Sequence, residues 1–557
     1  MGAEAATLPG LLRGLTEALG REVRAPRAMT GLERLHASDR ITGFSHWART
    51  ASVAAGLMRE AGLTDVEVIE APADGRTRYG DWLMPLAWDA DEARLELVDA
   101  SGRAVESLCD TAREPNAIVP GSAPTPPDGL TCELVDAESL TNPELMRGRM
   151  VMTGRRASLL KLAAARAGAL GIASDYHPNP SIDPTSTYWE NVWGDAPGAW
   201  MQSARDGRLP GFSLSPAAGA RLRRILDRRG GARVRATVRS RIYEGTLPIV
   251  TGCVRGSDPG AGEVLISAHI FEPGAHDNAS GGAAVLEAAR AIARLVATGE
   301  VMQPRPGIRF MLQAECYGTM AWIHLRSDRA RRTRAAVTLD GVGKPVPLIA
   351  HRTPACMPSS LNALARRALE ARFPGEGRAR MRPFSLGDNL INDPAIGIPC
   401  VWLQTEGPPN HHHTSADTLA AIYPPSLADA AVVAGAIAYS FAAASEGEFW
   451  RPTPRDGEAA PTPRHRRPPT AGSAVPTRTV AGPLTFESLP LDEALPFGEP
   501  PRWWSPALAA YWWIDGARTV AEIRRLVYEE FPGAREDPAD TLRRLTRAGY
   551  VTWGATA

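Results

Sequence analysis

The chain has no charge imbalance: 62 lysines and arginines face 62 aspartates and glutamates in 557 residues. Without a global field there is no electrostatic reason for it to gather on nucleic acid or an anionic membrane, so partner choice has to be local. It also lacks paired cysteines. Cys109, Cys132, Cys253, Cys316, Cys356 and Cys400 are scattered without a CxxC spacing, which suits reduced thiols in a cytosolic protein better than a disulfide framework. No run is expected to reach the ~20 apolar residues of a membrane span. The opening MGAEAATLPGLLRGLTEALGREVR has no basic head followed by an apolar core. The expectation is a cytoplasmic protein with neither a nucleic-acid nor a membrane partner.

What is present divides the chain. At this length one core does not suffice, and usual domain sizes predict roughly three units. Residues 1–80 read as the N-terminal part of an α/β domain, with a helical face over Ala51 to Ala61 followed by the alternating strand VEVIE. Residues 81–240 mix short β-type runs with prolines and the alanine-rich KLAAARAGALGIAS, and read as a β-rich insert. Residues 241–450 repeat strand, loop and helix (EVLISAHI, NASGGAAVLEAARAIARLVATG, GIRFMLQAE, AAVTLDG). Apolar strands alternating with amphipathic helices predict an α/β fold with a mostly parallel central sheet flanked by helices, whose ligands gather at the carboxyl ends of the strands. Residues 451–483 are proline-rich and poor in large apolar side chains, the composition of a linker. Residues 484–557 form a small helical unit. Thr519 and Glu522 fit a capping box, Asp537 and Pro538 a second helix start, and Gly549 a helix stop.

The chemistry concentrates at the strand ends of residues 241–450. His269 ends one predicted strand and Asp277 opens the next helix in the phrase HDNASGG. Glu315 follows the next strand (QAECYGT), Asp340 the one after (TLDGVG), and His413 lies in NHHHTSADT. Imidazole and carboxylate are ordinary zinc ligands. Two divalent ions about 3.5–4 Å apart need a bridging carboxylate with further donors on each side. Each residue also has a plainer reading: His269 as a hydrogen-bonded strand end, Asp277 as an N-cap, Asp340 and Asp388 as turn residues. His411 and His412 read as loop residues.

The string ISAHIFEPGAHDNASG resembles the metal motif of the clan MH metallopeptidases, the fold shared by leucyl aminopeptidases, glutamate carboxypeptidases and glutaminyl cyclases. SAHI followed by DNASG, with DWLMPLAWDADEA upstream and HTSADT downstream, is closer still to bacterial aminopeptidase-like proteins ending in a winged helix. GRMVMTGRRASLLKLAAARAGALGIAS looks like a protease-associated domain. The resemblance implies one or two zinc ions, with His269 and Asp340 on one, His413 and a group near Glu315 on the other, and Asp277 between them. It also implies Glu315 as general base and Asp388 near the second metal on the substrate side. Three positions depart from the pattern. Cys316 stands where a second glutamate is usual and offers either a thiolate ligand or a packed thiol. Phe271 stands where an aspartate orients the first histidine, and His276 stands where asparagine is common.

The expected activity is metal-dependent hydrolysis of the N-terminal peptide bond of a peptide. An amidohydrolase or carboxypeptidase on a small amide, and a peptide-binding pseudo-enzyme, are the alternatives. The C-terminal unit looks winged-helix-like, yet its acids slightly outnumber its bases, which favours peptide or subunit contact over DNA. Trp503, Trp504, Trp512 and Trp513 are equally consistent with core. Self-association as a homo-oligomer is left open, and the unit is expected to be separable from a folded metal-binding core.

Overall fold

The computed structural model describes residues 8–39, 43–229, 231–375, 377–408, 411–444, 475–497 and 504–554. Residues 451–474, most of the expected linker, and Trp503 lie outside them.

The strand EVLISAH spans Glu263–His269 and is buried along nearly its whole length. An uninterrupted apolar strand of this kind is stable only with both faces covered, which places it at the centre of a sheet. It lies parallel to Gly307–Gln313 on one side and to Thr333–Leu339 on the other, and Cys400–Thr405 continues parallel beyond. The full sheet has eight strands. Thr64–Ala73 and Gly245–Val254 add antiparallel at one edge; at the other, Leu348–His351 pairs antiparallel with Cys400–Thr405 and parallel with the outermost strand, Ala379–Arg382, so the sheet is mixed around a parallel centre. The fold is mixed α/β, a large sheet flanked by helices.

Asn278 caps the helix Ala279–Ala297 by accepting the Gly281 N–H at 3.0 Å. The helix Pro424–Ala443 packs beside it. By length and composition this second helix could cross a bilayer, contrary to the sequence expectation, but most of it is buried in the core. The N-terminal helices Leu8–Glu22, Ala25–Asp39 and Phe44–Glu60 join the same layer. Arg27 reaches Glu287 of the helix Ala279–Ala297 through two hydrogen bonds, at 2.6 and 2.9 Å.

The insert is a second sheet of seven strands that runs from Ala87–Val98 to Ala232–Tyr243. It has two apolar cores of its own. Asp89 fastens it to the helical layer, accepting the Ser45 N–H at 2.9 Å and the Arg241 and Tyr243 side chains at 2.8 Å each.

The C-terminal unit comprises the helices Pro506–Trp512, Val520–Glu530 and Pro538–Arg547, with Val475–Arg478 paired antiparallel to Val551–Gly554. The capping box at Thr519 and Glu522 is present, Asp537 caps the last helix, and Gly549 follows it at φ 82°. The unit is not an appendage. Residues 475–483, expected as linker, carry Arg478 into a buried pair with Asp393, and the Thr485 and Phe486 N–H groups and the Tyr550 hydroxyl all donate to buried Asp81. Trp512 and Trp513 are buried in a core continuous with the main sheet, and Trp504 stands edge-on to Phe384.

Candidate metal centre

Parallel strands place their carboxyl ends along one edge of a sheet, and the residues singled out there are brought together. His269 is the last residue of its strand, Glu315 lies two residues past Gly307–Gln313, and Asp340 follows Thr333–Leu339 directly. With Asp277 and His413 they line one cavity of about 610 Å³. Asn278 fixes the spacing of two of these loops. Its side chain accepts from Gly281 and Gly341 N–H at 3.0 Å each and donates to the Leu339 carbonyl at 3.0 Å. Gly281 allows this approach, because a Cβ there would stand 2.4 Å from the Asn278 amide oxygen.

Asp277 is the hub. Its Oδ1 lies 3.2 Å from His269 Nε2, while its Oδ2 lies 2.8 Å from His412 Nδ1 and 3.3 Å from His413 Nε2. Both carboxylate oxygens of Asp417 accept backbone N–H groups, from His276 at 2.8 Å and Asp277 at 2.9 Å, and so hold this loop in place. Two close groups share Asp277: His269, Glu272 and Asp277, and Asp277, His412 and His413. Glu272 and His412 are not among the ligands expected from the sequence. Glu272 sits three residues past His269 at the end of a turn through Phe271 at φ 78°, and His412 has only loop character in the sequence. An acid or histidine close in sequence to a proposed ligand was the only available signal.

Asp340 and Glu315 line the cavity but fall outside both close groups. Cys316 lies at φ 57° and lines a separate small apolar pocket with Trp82, Trp200, Leu390 and Pro483. Its backbone N–H donates to Asp388 Oδ1 at 3.1 Å. Asp388 does not line the cavity; its Oδ2 lies 2.8 Å from His269 Nδ1.

The electrostatics are those of crowded acids. Burial pushes Glu315 well above the usual carboxylate range, helped by Glu272, Asp388 and Asp340 and opposed by His269. Burial, with Asp277 and Asp388, pushes Asp340 up to about 7. His413 is lowered to about 4 by burial and by His412, which keeps it neutral. His412 is pushed up to about 9 by Asp277, against desolvation. A neutral imidazole, a shared carboxylate and surplus acids form a donor set that a divalent cation would both fill and neutralise, so these residues fit zinc.

The insert completes the wall. Trp189 donates its backbone N–H to the His413 carbonyl at 2.9 Å. Tyr176, Tyr188, Asn191, Val192 and Trp200 line the cavity from the same side.

An acid- and histidine-lined cavity at the carboxyl ends of parallel strands is where a ligand of such a sheet binds, and its donor set suits a divalent cation. Residues 250–438 match the model of peptidase family M28. No curated protein matches significantly. Among solved structures, the fold is similar to a peptidase M28 precursor from Shewanella amazonensis, at 18% identity and TM-score 0.60 over 80% of this chain and 100% of that one. It is also similar to a zinc aminopeptidase from Bacillus subtilis, at 19% identity and TM-score 0.55 over 75% and 95% of the two chains. A putative peptidase from Clostridium acetobutylicum matches at 14% identity and TM-score 0.51, over 98% of each chain. The matched segment and the fold support a zinc-metallopeptidase-like hydrolase.

Proposed function

We propose that the chain is an aminopeptidase that cleaves the N-terminal peptide bond of a peptide, with one or two zinc ions held around Asp277. The observation that carries the proposal is the shared carboxylate: Asp277 faces His269 with one oxygen and His412 and His413 with the other. His269, Glu272 and Asp277 would hold one ion, and Asp277, His412 and His413 the other, with Asp340 in the wall of the same cavity. When bound, zinc supplies Lewis acidity, lowering the pKa of water and stabilising developing negative charge.

Glu315 is the general base of this reading. It takes a proton from the attacking water as the C–O bond forms and passes it to the leaving nitrogen as the C–N bond breaks. The surplus carboxylates around the cavity suit the free ammonium group of a peptide. The insert, read as protease-associated-like, covers the cleft and limits the length of chain that enters. The C-terminal unit, read as winged-helix-like, is assigned to peptide or subunit contact.

A second reading, an amidohydrolase or carboxypeptidase, is favoured by Arg156 and Lys344 in the cavity wall. It is the weaker one. Arg156 is already paired with buried Glu190, and the Lys344 ammonium donates to the Gly407 carbonyl at 3.4 Å.

Elemental analysis of the purified protein, followed by a matched screen of aminoacyl amides and their N-acetylated forms, tests both. Bound zinc with turnover of the free-amine series only is the expected result. Turnover of N-blocked substrates with a free carboxylate favours the second reading, and absence of both metal and activity overturns the enzyme reading.

A further inference from the structure

The metal pocket lacks the aspartate that the motif leads one to expect two residues after His269, because Phe271 stands there. An imidazole ligand whose second nitrogen has no acceptor is free to rotate and to adopt the wrong tautomer, so the partner of His269 Nδ1 matters. The Asn278 amide nitrogen lies 3.3 Å from Nδ1 but is a donor; the acceptor comes from 119 positions away. Asp388 Oδ2 lies 2.8 Å from Nδ1, both groups are buried, and the other oxygen of Asp388 is held by the Cys316 N–H at 3.1 Å.

Asp388 sits at the start of the 3-10 turn Asp388–Asn392. Asn392 pins the far end of the turn to the sheet, donating to the Cys400 carbonyl at 2.7 Å and accepting the Cys400 N–H at 2.8 Å. The next residue, Asp393, is fully buried, where a carboxylate needs a partner. Its partner is Arg478, from the C-terminal side of the proline-rich segment. The guanidinium forms a two-pronged pair with Asp393, with one bond at 2.6 Å, and is itself only 6% exposed. Gly482 N–H donates to the same carboxylate. The Tyr511 ring lies 4.2 Å from the Arg478 guanidinium carbon and backs it.

We propose that Asp388 is the positioning residue that orients His269 toward the metal, and that Arg478, through Asp393, holds the turn that carries Asp388. The C-terminal unit is then part of the scaffold of the metal site and not only a contact module. The inference rests on the metal-site reading given above, and its tests keep the two apart.

In the full-length protein, zinc affinity is measured by chelator competition for Asp388→Asn, Arg478→Gln and the double variant. The Nδ1–H resonance of His269 is followed by NMR in metal-free, histidine-labelled protein. Asp388→Asn is expected to weaken zinc binding about 10- to 100-fold, the usual effect of losing an outer partner of a ligating histidine, and to shift the His269 resonance. Arg478→Gln is expected to do the same to a smaller degree. Its effect should vanish in the Asp388→Asn background, since two residues on one path are not additive whereas a merely structural arginine would be.

If Arg478→Gln does not fold, Arg478→Lys keeps the buried charge without the two-pronged geometry and carries the same comparison. Wild-type zinc affinity and an unmoved resonance in Asp388→Asn would overturn the whole proposal. Additive effects, or a folded Arg478 variant indistinguishable from wild type, would overturn the role of the C-terminal unit. If the wild-type protein binds no zinc, the metal reading fails by itself, while the resonance still reports whether Asp388 and Arg478 hold the ring.

Discussion

Trp189 of the insert lies flat against His413 of the main domain, ring centroids 4.0 Å apart at an interplanar angle of 18°. The insert therefore shapes the metal pocket directly, by fixing one of the imidazoles that face Asp277. Trp189→Ala removes a side chain that is 3% exposed and leaves a void expected to cost about 3–5 kcal/mol. Zinc affinity should fall with it, and Trp189→Phe should retain most of both. Calorimetric melting and chelator competition on the same samples give the comparison.

Asp277 makes the sharpest prediction about metal content. Because both close groups share its carboxylate, Asp277→Asn should lose all bound zinc in place of half of it. Glu272→Gln should weaken one ion selectively. Mass spectrometry of the native protein counts the ions, and a half-loaded Asp277 variant would mean that the carboxylate is not shared.

Glu315 and Cys316 separate base from ligand. Glu315→Gln should keep its metal while turnover drops on the order of 10²- to 10⁴-fold. Cys316→Ser should keep both, because Cys316 belongs to neither ligand group and lines an apolar pocket. Metal loss in Glu315→Gln would move that residue from base to ligand.

Removal of everything after residue 450 should not leave a stable core, contrary to the expectation from composition. Asp393 would lose Arg478, and Asp81 would lose Thr485, Phe486 and Tyr550. Stranding one such buried charge costs about 3–5 kcal/mol. A truncated chain that melts at the wild-type temperature would contradict this.

Asp89 predicts an acid-limb effect far from the metal. Burial alone would raise its pKa, but the Ser45 N–H, the Tyr243 hydroxyl and Arg241 together hold it below the ordinary carboxylate value. A folded pKa below the unfolded one contributes stability that is present above the unfolded value and is lost as pH falls through the folded one. Asp89→Asn should therefore lower stability at neutral pH and flatten its decline below about pH 4, the ordinary aspartate range. Urea melts between pH 3 and 7 read both.

Residue pattern alone locates the strand ends and the helix start between them. His269, Asp277, Glu315 and Asp340 were legible because apolar strands and capped helices alternate regularly, and parallel connections put every carboxyl end on one edge. His413 was legible from its motif. The capping box at Thr519 and the helix stop at Gly549 are local hydrogen-bond and φ requirements, written in the residues that satisfy them.

Which side chains meet across those loops depends on how the sheet and its turns pack. That Asp388 reaches His269 across 119 positions depends on sheet order and on a turn fixed by Asn392 and Asp393. That His412 as well as His413 faces Asp277 depends on the left-handed φ of 56° at His413, which no residue preference announces. A connection rich in proline makes the C-terminal unit look separable. What holds it is a pair of buried carboxylates, Asp81 and Asp393, and the partners that satisfy a buried charge leave no trace in composition or periodicity.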